Sequence, residues 1–120
     1  MNKPITRQQH GGIDYAYSAA VAILPELLKF KEQKSATTLC RALAGGALVY
    51  SLLTKAEWVA AKIISFKTHL LIDFTTSLFA LGAPWLLGFS ANAKARNTLV
   101  SVGLAGLTAS LLTQPTEMKP

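Results

Sequence analysis

The stretch His10-Gly11-Gly12-Ile13-Asp14 returns 59 residues later as His69-Leu70-Leu71-Ile72-Asp73, and this duplication decides the fold. The same offset places Ser51-Leu52-Leu53-Thr54 on Ser110-Leu111-Leu112-Thr113, and 14 of the 45 positions from residue 10 to residue 54 are identical. Chance agreement in this composition amounts to roughly four positions. The chain is therefore predicted to consist of two copies of one unit.

The composition indicates an apolar environment. Charged residues make up only 15% of the 120 residues and hydrophobic residues make up 51%, whereas a soluble domain carries roughly 25% charged residues. The apolar content excludes a disordered chain, and the single Cys40 excludes an intrachain disulfide scaffold. We expect an integral membrane protein, with the lipid bilayer as its partner and the bacterial cytoplasmic membrane as its location. A water-soluble helical bundle is the alternative, favoured by the modest mean hydropathy of +0.34.

Each unit contains two apolar stretches. In the second unit, residues 74–93 and 97–116 are each 20 residues long without a charge, which is about the length that crosses a hydrocarbon core. The expected fold class is all-α, a four-helix transmembrane bundle of two tandem two-helix repeats related by a pseudo-twofold axis along the membrane normal. The predicted spans are residues 12–30, 36–54, 69–89 and 97–114. The predicted units are a first repeat at 10–54, a linker at 55–68 and a second repeat at 69–114.

The linker is predicted to be a helix lying at the membrane interface, because its apolar residues, Trp58 among them, fall on one side. A solvated helical linker is an equally good interpretation. An even number of spans per unit places both His/Asp motifs at one face of the membrane. Since the 12 basic residues divide six to six between the two faces, the positive-inside rule assigns no orientation.

The duplicated His-x-x-x-Asp is the best candidate for chemistry, and it comprises His10, Asp14, His69 and Asp73. Residues four apart share a helix face, so each carboxylate could accept a hydrogen bond from the imidazole of its own helix. Two such pairs could form a proton relay, or supply two imidazoles to a metal or haem. The preferred interpretation is structural. Each Asp then interacts favourably with the positive N-terminal end of its helix dipole, and each His contacts water at the membrane interface. No metal and no cofactor are assigned.

Other residues are given structural roles. Glu26 and Arg41 occur only in the first unit, and we expect them to form an ion pair or to reach toward headgroups. Pro25 and Pro84 should kink the first and third helices, because each lacks the N–H for the carbonyl four residues earlier. Trp85 is predicted to anchor the third helix at the far interface.

The chain resembles the SPW-repeat membrane proteins, a family named for a Ser-Pro-Trp motif in the first helix of a two-helix unit. The resemblance is carried by Lys67-Thr68-His69-Leu70-Leu71-Ile72-Asp73 and by Gly82-Ala83-Pro84-Trp85-Leu86-Leu87-Gly88-Phe89. Ala83 stands where the family has Ser, and the first copy has Glu26 in place of Trp. The resemblance implies an integral membrane protein with tandem units, and it implies no reaction.

The sequence lacks the motifs of hydrolases, nucleotide-binding enzymes and zinc proteins, so we expect no enzyme activity. The basic residues form no aromatic-interleaved stripe, which argues against nucleic acid as a partner. We expect a non-enzymatic membrane component that acts through helix packing or partner binding. Small residues in the second and fourth helices make a homo-oligomer plausible. The alternative is a protein that handles protons, ions or a cofactor through the duplicated His-x-x-x-Asp pairs.

Overall fold

The computed structural model describes residues 3–54 and 61–117 and contains four helices. They are α1 (Arg7–Leu27), α2 (Lys34–Leu52), α3 (Phe66–Leu86) and α4 (Ala93–Leu112). The described residues form no strand beyond two isolated β-bridges. The prediction of an all-α fold with four helices is therefore confirmed.

The helices start two to five residues before the predicted spans, because polar caps rather than apolar runs set their beginnings. The Thr6 hydroxyl accepts a hydrogen bond from the Gln9 N–H, and the Gln9 side-chain oxygen accepts one from the Thr6 N–H, which makes a capping box at α1. Ser65 caps α3 and Asn92 caps α4 in the same way with one bond each.

The two halves repeat the same geometry as well as the same sequence. Both ends of α1 are displaced by 59 positions from the ends of α3. Each of these helices carries its proline in the last turn, at Pro25 and Pro84. The chain then reverses through a left-handed residue, Lys29 with φ 59° in the first unit and Gly88 with φ 77° in the second. The Phe30 N–H donates to the Pro25 carbonyl at 3.0 Å, closing a Schellman motif.

Packing is tightest within each helical hairpin, α1 on α2 and α3 on α4. Gly103 lets α4 approach α3 closely, because a Cβ at this position would lie 2.8 Å from the Ser77 carbonyl oxygen and from the Leu81 nitrogen. The apolar core collects one phenylalanine from each hairpin turn together with residues from all four helices, including Phe30, Phe89, Val21, Cys40, Ala80 and Leu99. The hairpins are therefore rigid units that meet through a smaller contact.

Two parallel β-bridges join the hairpins crosswise. Ile5, just before α1, pairs with Thr113 after α4, and Ile64, just before α3, pairs with Thr54 after α2. The Ile5 N–H donates to the Leu112 carbonyl at 3.1 Å, and the equivalent bond from Ile64 to Leu53 measures 2.7 Å. The start of each repeat is thus held by the end of the other one.

The linker differs from the predicted helix where the structure describes it. Residues 61–65 are extended, since Ile64 is engaged in the bridge with Thr54, and α3 begins at Phe66. The helical interpretation is wrong for these five residues, because backbone pairing with the first hairpin replaces helical hydrogen bonds. Trp58 lies outside the described residues.

Within the described part of the chain, no helix combines the length and the apolar character that crossing a membrane requires.

Candidate functional site

The four residues of the duplicated motif meet in one buried cluster, the His/Asp cluster, made of His10, Asp14, His69 and Asp73. His10 and His69 lie in the first turns of α1 and α3, and Asp14 and Asp73 lie one turn later. The exposed fraction of the His10 and His69 side chains is 1% and 2%. The expectation of histidines wet at an interface is therefore wrong, because the crossing hairpins cover both imidazoles.

The shortest hydrogen bonds of the cluster run between the repeats. His10 Nε2 lies 2.7 Å from Asp73 Oδ2, and His69 Nε2 lies 2.8 Å from Asp14 Oδ2. The distances within each helix are longer, 3.2 Å from His10 to Asp14 and 3.3 Å from His69 to Asp73. The predicted contact within each helix is present, and a shorter crosswise contact is added to it, so each imidazole is shared by both carboxylates.

Two threonines at the helix ends hold the other nitrogen of each imidazole. His10 Nδ1 lies 2.7 Å from Thr113 Oγ1, and His69 Nδ1 lies 2.6 Å from Thr54 Oγ1. The single hydroxyl hydrogen of each threonine is already donated to a backbone carbonyl four residues earlier, that of Ala109 or Tyr50. When the hydroxyl donates to that carbonyl, its oxygen accepts from the imidazole, and Nδ1 carries a hydrogen.

A hydrogen on Nδ1 limits the protonation states and contacts that are possible at Nε2. A neutral imidazole with its hydrogen on Nδ1 presents a bare lone pair at Nε2, and here that lone pair would point at carboxylate oxygens. Two lone pairs at hydrogen-bond distance repel each other. With the hydrogen on Nδ1, each Nε2 therefore either carries a second proton or contacts a bound cation.

The protonated form is strongly favoured when no other cation is present. Burial by itself lowers the pKa of His10, but the hydrogen bonds to Asp14 and Asp73 outweigh it and raise the pKa from 6.5 to about 9. The same balance raises the pKa of His69 to about 9. Burial raises the pKa of Asp73, yet the hydrogen bonds from the two histidines dominate and lower it to about 2. Two imidazolium ions and two carboxylates then give the cluster no net charge.

One aromatic residue breaks the twofold symmetry of the cluster. The Tyr50 hydroxyl donates a hydrogen bond to Asp73 Oδ1, and its ring meets the His69 ring edge-on with centroids 4.8 Å apart. The equivalent position in the second repeat is Ala109. Burial, followed by the charge of Asp73, raises the pKa of the Tyr50 phenol, which keeps it protonated as a donor.

A cavity of about 70 Å³ adjoins the cluster where the second tyrosine is missing. It is lined by the cluster residues His10, Asp14 and Asp73, by Tyr50 of α2 and by Ala109 and Gly106 of α4, among others. The pseudosymmetric cavity, of about 160 Å³, is also lined by Tyr50, together with Gly46 and others, and none of its lining residues belongs to the His/Asp cluster. Tyr50 thus lies between the two cavities, and only the smaller one reaches the cluster.

The remaining sequence-predicted residues lie apart from the cluster. Glu26 and Arg41 form an ion pair near the opposite end of α1, where both side chains are more than 40% exposed. The Arg41 guanidinium also donates to the Ala22 carbonyl. Trp85 is exposed beside the buried Pro84. These residues therefore contribute nothing to the chemistry of the cluster.

Sequence reasoning missed three residues of the site: Tyr50, Thr54 and Thr113. The threonines carried a usable signal, because they end the Ser-Leu-Leu-Thr stretch that is identical in both repeats. Tyr50 directly precedes that stretch. Because the equivalent residue of the second repeat is Ala109, comparison of the two copies does not mark Tyr50 as a site residue.

The raised pKa values predict how stability depends on pH in the presence of a chelator. The stabilisation from His10 and His69 is complete below pH 6.5 and is lost as pH rises toward 9. The stabilisation from Asp73 is complete above about pH 3.8 and is lost as pH falls toward 2. We expect the free energy of unfolding to be highest between these limits and to fall by on the order of a few kcal/mol from pH 6.5 to 9.

Urea unfolding across this pH range measures the effect. Glu26→Gln, which removes a carboxylate outside the cluster, should keep the same profile, whereas His69→Gln should flatten it. A profile that is unchanged in His69→Gln would contradict the assignment.

The chain was compared with family models, curated proteins and solved structures. None of the three comparisons gave a match. The resemblance to the SPW-repeat proteins therefore stays a prediction.

Proposed function

We propose that this protein is a cation-binding helical bundle whose His/Asp cluster holds one divalent transition-metal ion, with Zn²⁺ as the representative. The observation that carries the proposal is the orientation of the two imidazoles. The threonine hydroxyls fix a hydrogen on each Nδ1, so both Nε2 atoms aim their remaining site at the same two carboxylates.

The distances in the cluster support this assignment. One donor atom from each of the four residues lies within 4.8 Å of all the others. A tetrahedral ion with bonds of about 2.0–2.1 Å separates its ligand atoms by about 3.3 Å. The 3.2 Å and 3.3 Å distances within each helix already match this spacing. To admit the ion, the crosswise distances of 2.7 Å and 2.8 Å need to widen by about 0.5 Å, and any separation near the 4.8 Å limit needs to shorten by about 1.5 Å.

The groups behind the imidazoles also suit a metal ion. A ligating histidine usually donates its other N–H to a second group, which fixes the tautomer and the orientation of the ring. Thr113 and Thr54 fill this position at 2.7 Å and 2.6 Å. Each threonine is in turn anchored to the backbone of its helix, so the ligand orientation exists before an ion arrives.

Charge balance favours a divalent ion over a monovalent one. Neutral imidazoles and two carboxylates carry a charge of −2, which one divalent ion cancels. A buried charge that is left uncompensated costs several kcal/mol. The ion therefore replaces two protons without changing the net charge of the cluster.

The role of the ion follows from where its ligands originate. Each repeat supplies one histidine and one aspartate, so the ion would connect the two hairpins directly. Four protein ligands around a buried ion are typical of structural sites. The proposal is thus a non-enzymatic one, in which occupancy of the site controls how firmly the two repeats are joined.

Metal titration tests this proposal. Protein that has been stripped with a chelator should bind one Co²⁺ or Zn²⁺ per chain, and its melting temperature should rise in proportion to occupancy. His10→Ala and His69→Ala should lose high-affinity binding, and Thr113→Val should weaken it by roughly 10- to 100-fold. Glu26→Gln is the matched control and should bind normally.

Two results would refute the metal assignment. One is a folded, stripped protein that takes up no ion at micromolar concentrations. The other is equal uptake by wild type and by a folded His10→Ala/His69→Ala variant, as judged by circular dichroism.

The exposed apolar side chains support a second proposal, that the bundle works against a lipid bilayer as a membrane component. Large apolar residues are exposed on all four helices, among them Ile23, Val49, Leu78, Phe79 and Leu104. Charged residues in α2 and α4 stop at Arg41 and Arg96, leaving the rest of each helix uncharged. Contiguous exposed apolar surface is typical of sites that meet lipid or protein. The four spans, the bacterial cytoplasmic membrane and a homo-oligomer stay predictions.

Detergent phase separation tests the bilayer proposal. The full chain should enter the detergent-rich phase and sediment with membranes after carbonate washing. Recovery of a monodisperse protein from the aqueous phase, with no detergent bound, would contradict it.

A further inference from the structure

We propose that the cavity beside Asp14 binds a small neutral ligand with a hydroxyl donor, of the phenol class, placed against Asp14 as the Tyr50 phenol is placed against Asp73. The inference goes beyond the metal assignment and does not depend on an ion being bound. It rests on the difference between Tyr50 in the first repeat and Ala109 at the equivalent position of the second.

The first repeat shows which group fits this position. Tyr50 projects from α2 and donates its hydroxyl hydrogen to Asp73 Oδ1. The histidines, aspartates and threonines of the cluster are all duplicated, but the residue 59 positions after Tyr50 is Ala109. The second repeat therefore presents the same carboxylate surroundings without the phenol that completes them in the first.

The cavity occupies the space that this exchange leaves. Small side chains of α4, namely Ala105, Gly106 and Ala109, form one wall, and Asp14 and Tyr17 belong to the opposite helix α1. Thr76 is the position equivalent to Tyr17, and both line the cavity. The cavity therefore combines a wall of small side chains with several hydrogen-bonding groups, as small-ligand sites do.

Asp14 retains the capacity to accept a further hydrogen bond. Its Oδ2 is hydrogen-bonded to His69 at 2.8 Å, while its Oδ1 makes a longer contact of 3.2 Å to His10. A carboxylate offers about four lone-pair sites. Asp73, in the equivalent position, accepts from both histidines and from Tyr50 as well.

The charge of the cluster selects a neutral ligand. The four cluster residues carry no net charge when both imidazoles are protonated, and the same holds when a divalent ion replaces the two protons. An added cation or anion would therefore remain uncompensated in a buried site. A neutral hydroxyl satisfies the carboxylate without this cost.

The size of the cavity limits how far the ligand enters. A volume of about 70 Å³ is roughly half the 150 Å³ of a cavity that encloses benzene. The hydroxyl end therefore enters, and part of the ring extends past Ile13 and Ala105, both of which are exposed. Chemicals of this shape include phenol itself and phenolic headgroups that carry a longer tail.

Phenol and anisole make a matched pair of probes, because they share the ring and differ in the hydroxyl donor. In chelator-treated full-length protein, followed by amide NMR, phenol should shift the signals of residues around Ala109 and Asp14. Anisole should bind at least about 10-fold more weakly, since it cannot donate to the carboxylate. Ala109→Tyr should abolish phenol binding, because its own side chain fills the cavity.

Tyr50→Ala supplies the complementary variant. It removes the phenol beside Asp73 and enlarges the same cavity, which Tyr50 also lines, so it should bind phenol at least as tightly as the wild type does. If Ala109→Tyr does not fold, Ala109→Leu fills the cavity without adding a hydroxyl and should likewise block phenol.

Three outcomes overturn the inference: no binding of phenol to the wild type, equal affinity for phenol and anisole, or undiminished phenol binding when residue 109 is enlarged. Because the chelator keeps metal out of these titrations, they leave the metal proposal untouched. Failure of Co²⁺ or Zn²⁺ binding in turn leaves the phenol result intact.

Discussion

The structure depends on one constraint: two carboxylates and two imidazoles are buried together, and each imidazole makes its shortest carboxylate contact with the other repeat. Leaving a buried charge without a partner costs several kcal/mol, so the hairpins must meet where their His/Asp motifs face each other. His10 reaches Asp73 and His69 reaches Asp14 more closely than either reaches the aspartate of its own helix. The crosswise β-bridges position the threonines that complete both imidazoles.

Duplication explains why the cluster is so complete. A twofold arrangement of one motif supplies every group twice, so one favourable contact becomes two by symmetry. One donor is not duplicated: Tyr50 and Ala109 occupy equivalent positions that face equivalent carboxylates. Asp73 accepts a hydrogen bond from this phenol, whereas the position facing Asp14 is an alanine, and both carboxylates border the cavity. The two halves of the cluster thus differ in one hydrogen-bond donor.

Much of this arrangement could be predicted from the sequence, since repeats and apolar stretches are local patterns. The 59-residue offset predicted four helices in two matching hairpins, with His10 and His69 at the same end, and the structure has them there. The crosswise pairing could not be derived, because spacing of four within a helix indicates only local neighbours. Helix beginnings were misplaced because caps such as Thr6, rather than apolar residues, determine them. The role of Tyr50 depends on how two hairpins cross, which no local pattern encodes.

The most direct test of the crosswise cluster is a pair of double-mutant cycles in chelator-treated protein. One cycle combines His10→Gln with Asp73→Asn, and the other combines His10→Gln with Asp14→Asn, with free energies of unfolding measured in urea. The account predicts a coupling energy between His10 and Asp73 that exceeds the coupling within the helix by about 1 kcal/mol or more. Equal couplings, or a larger one between His10 and Asp14, would contradict it.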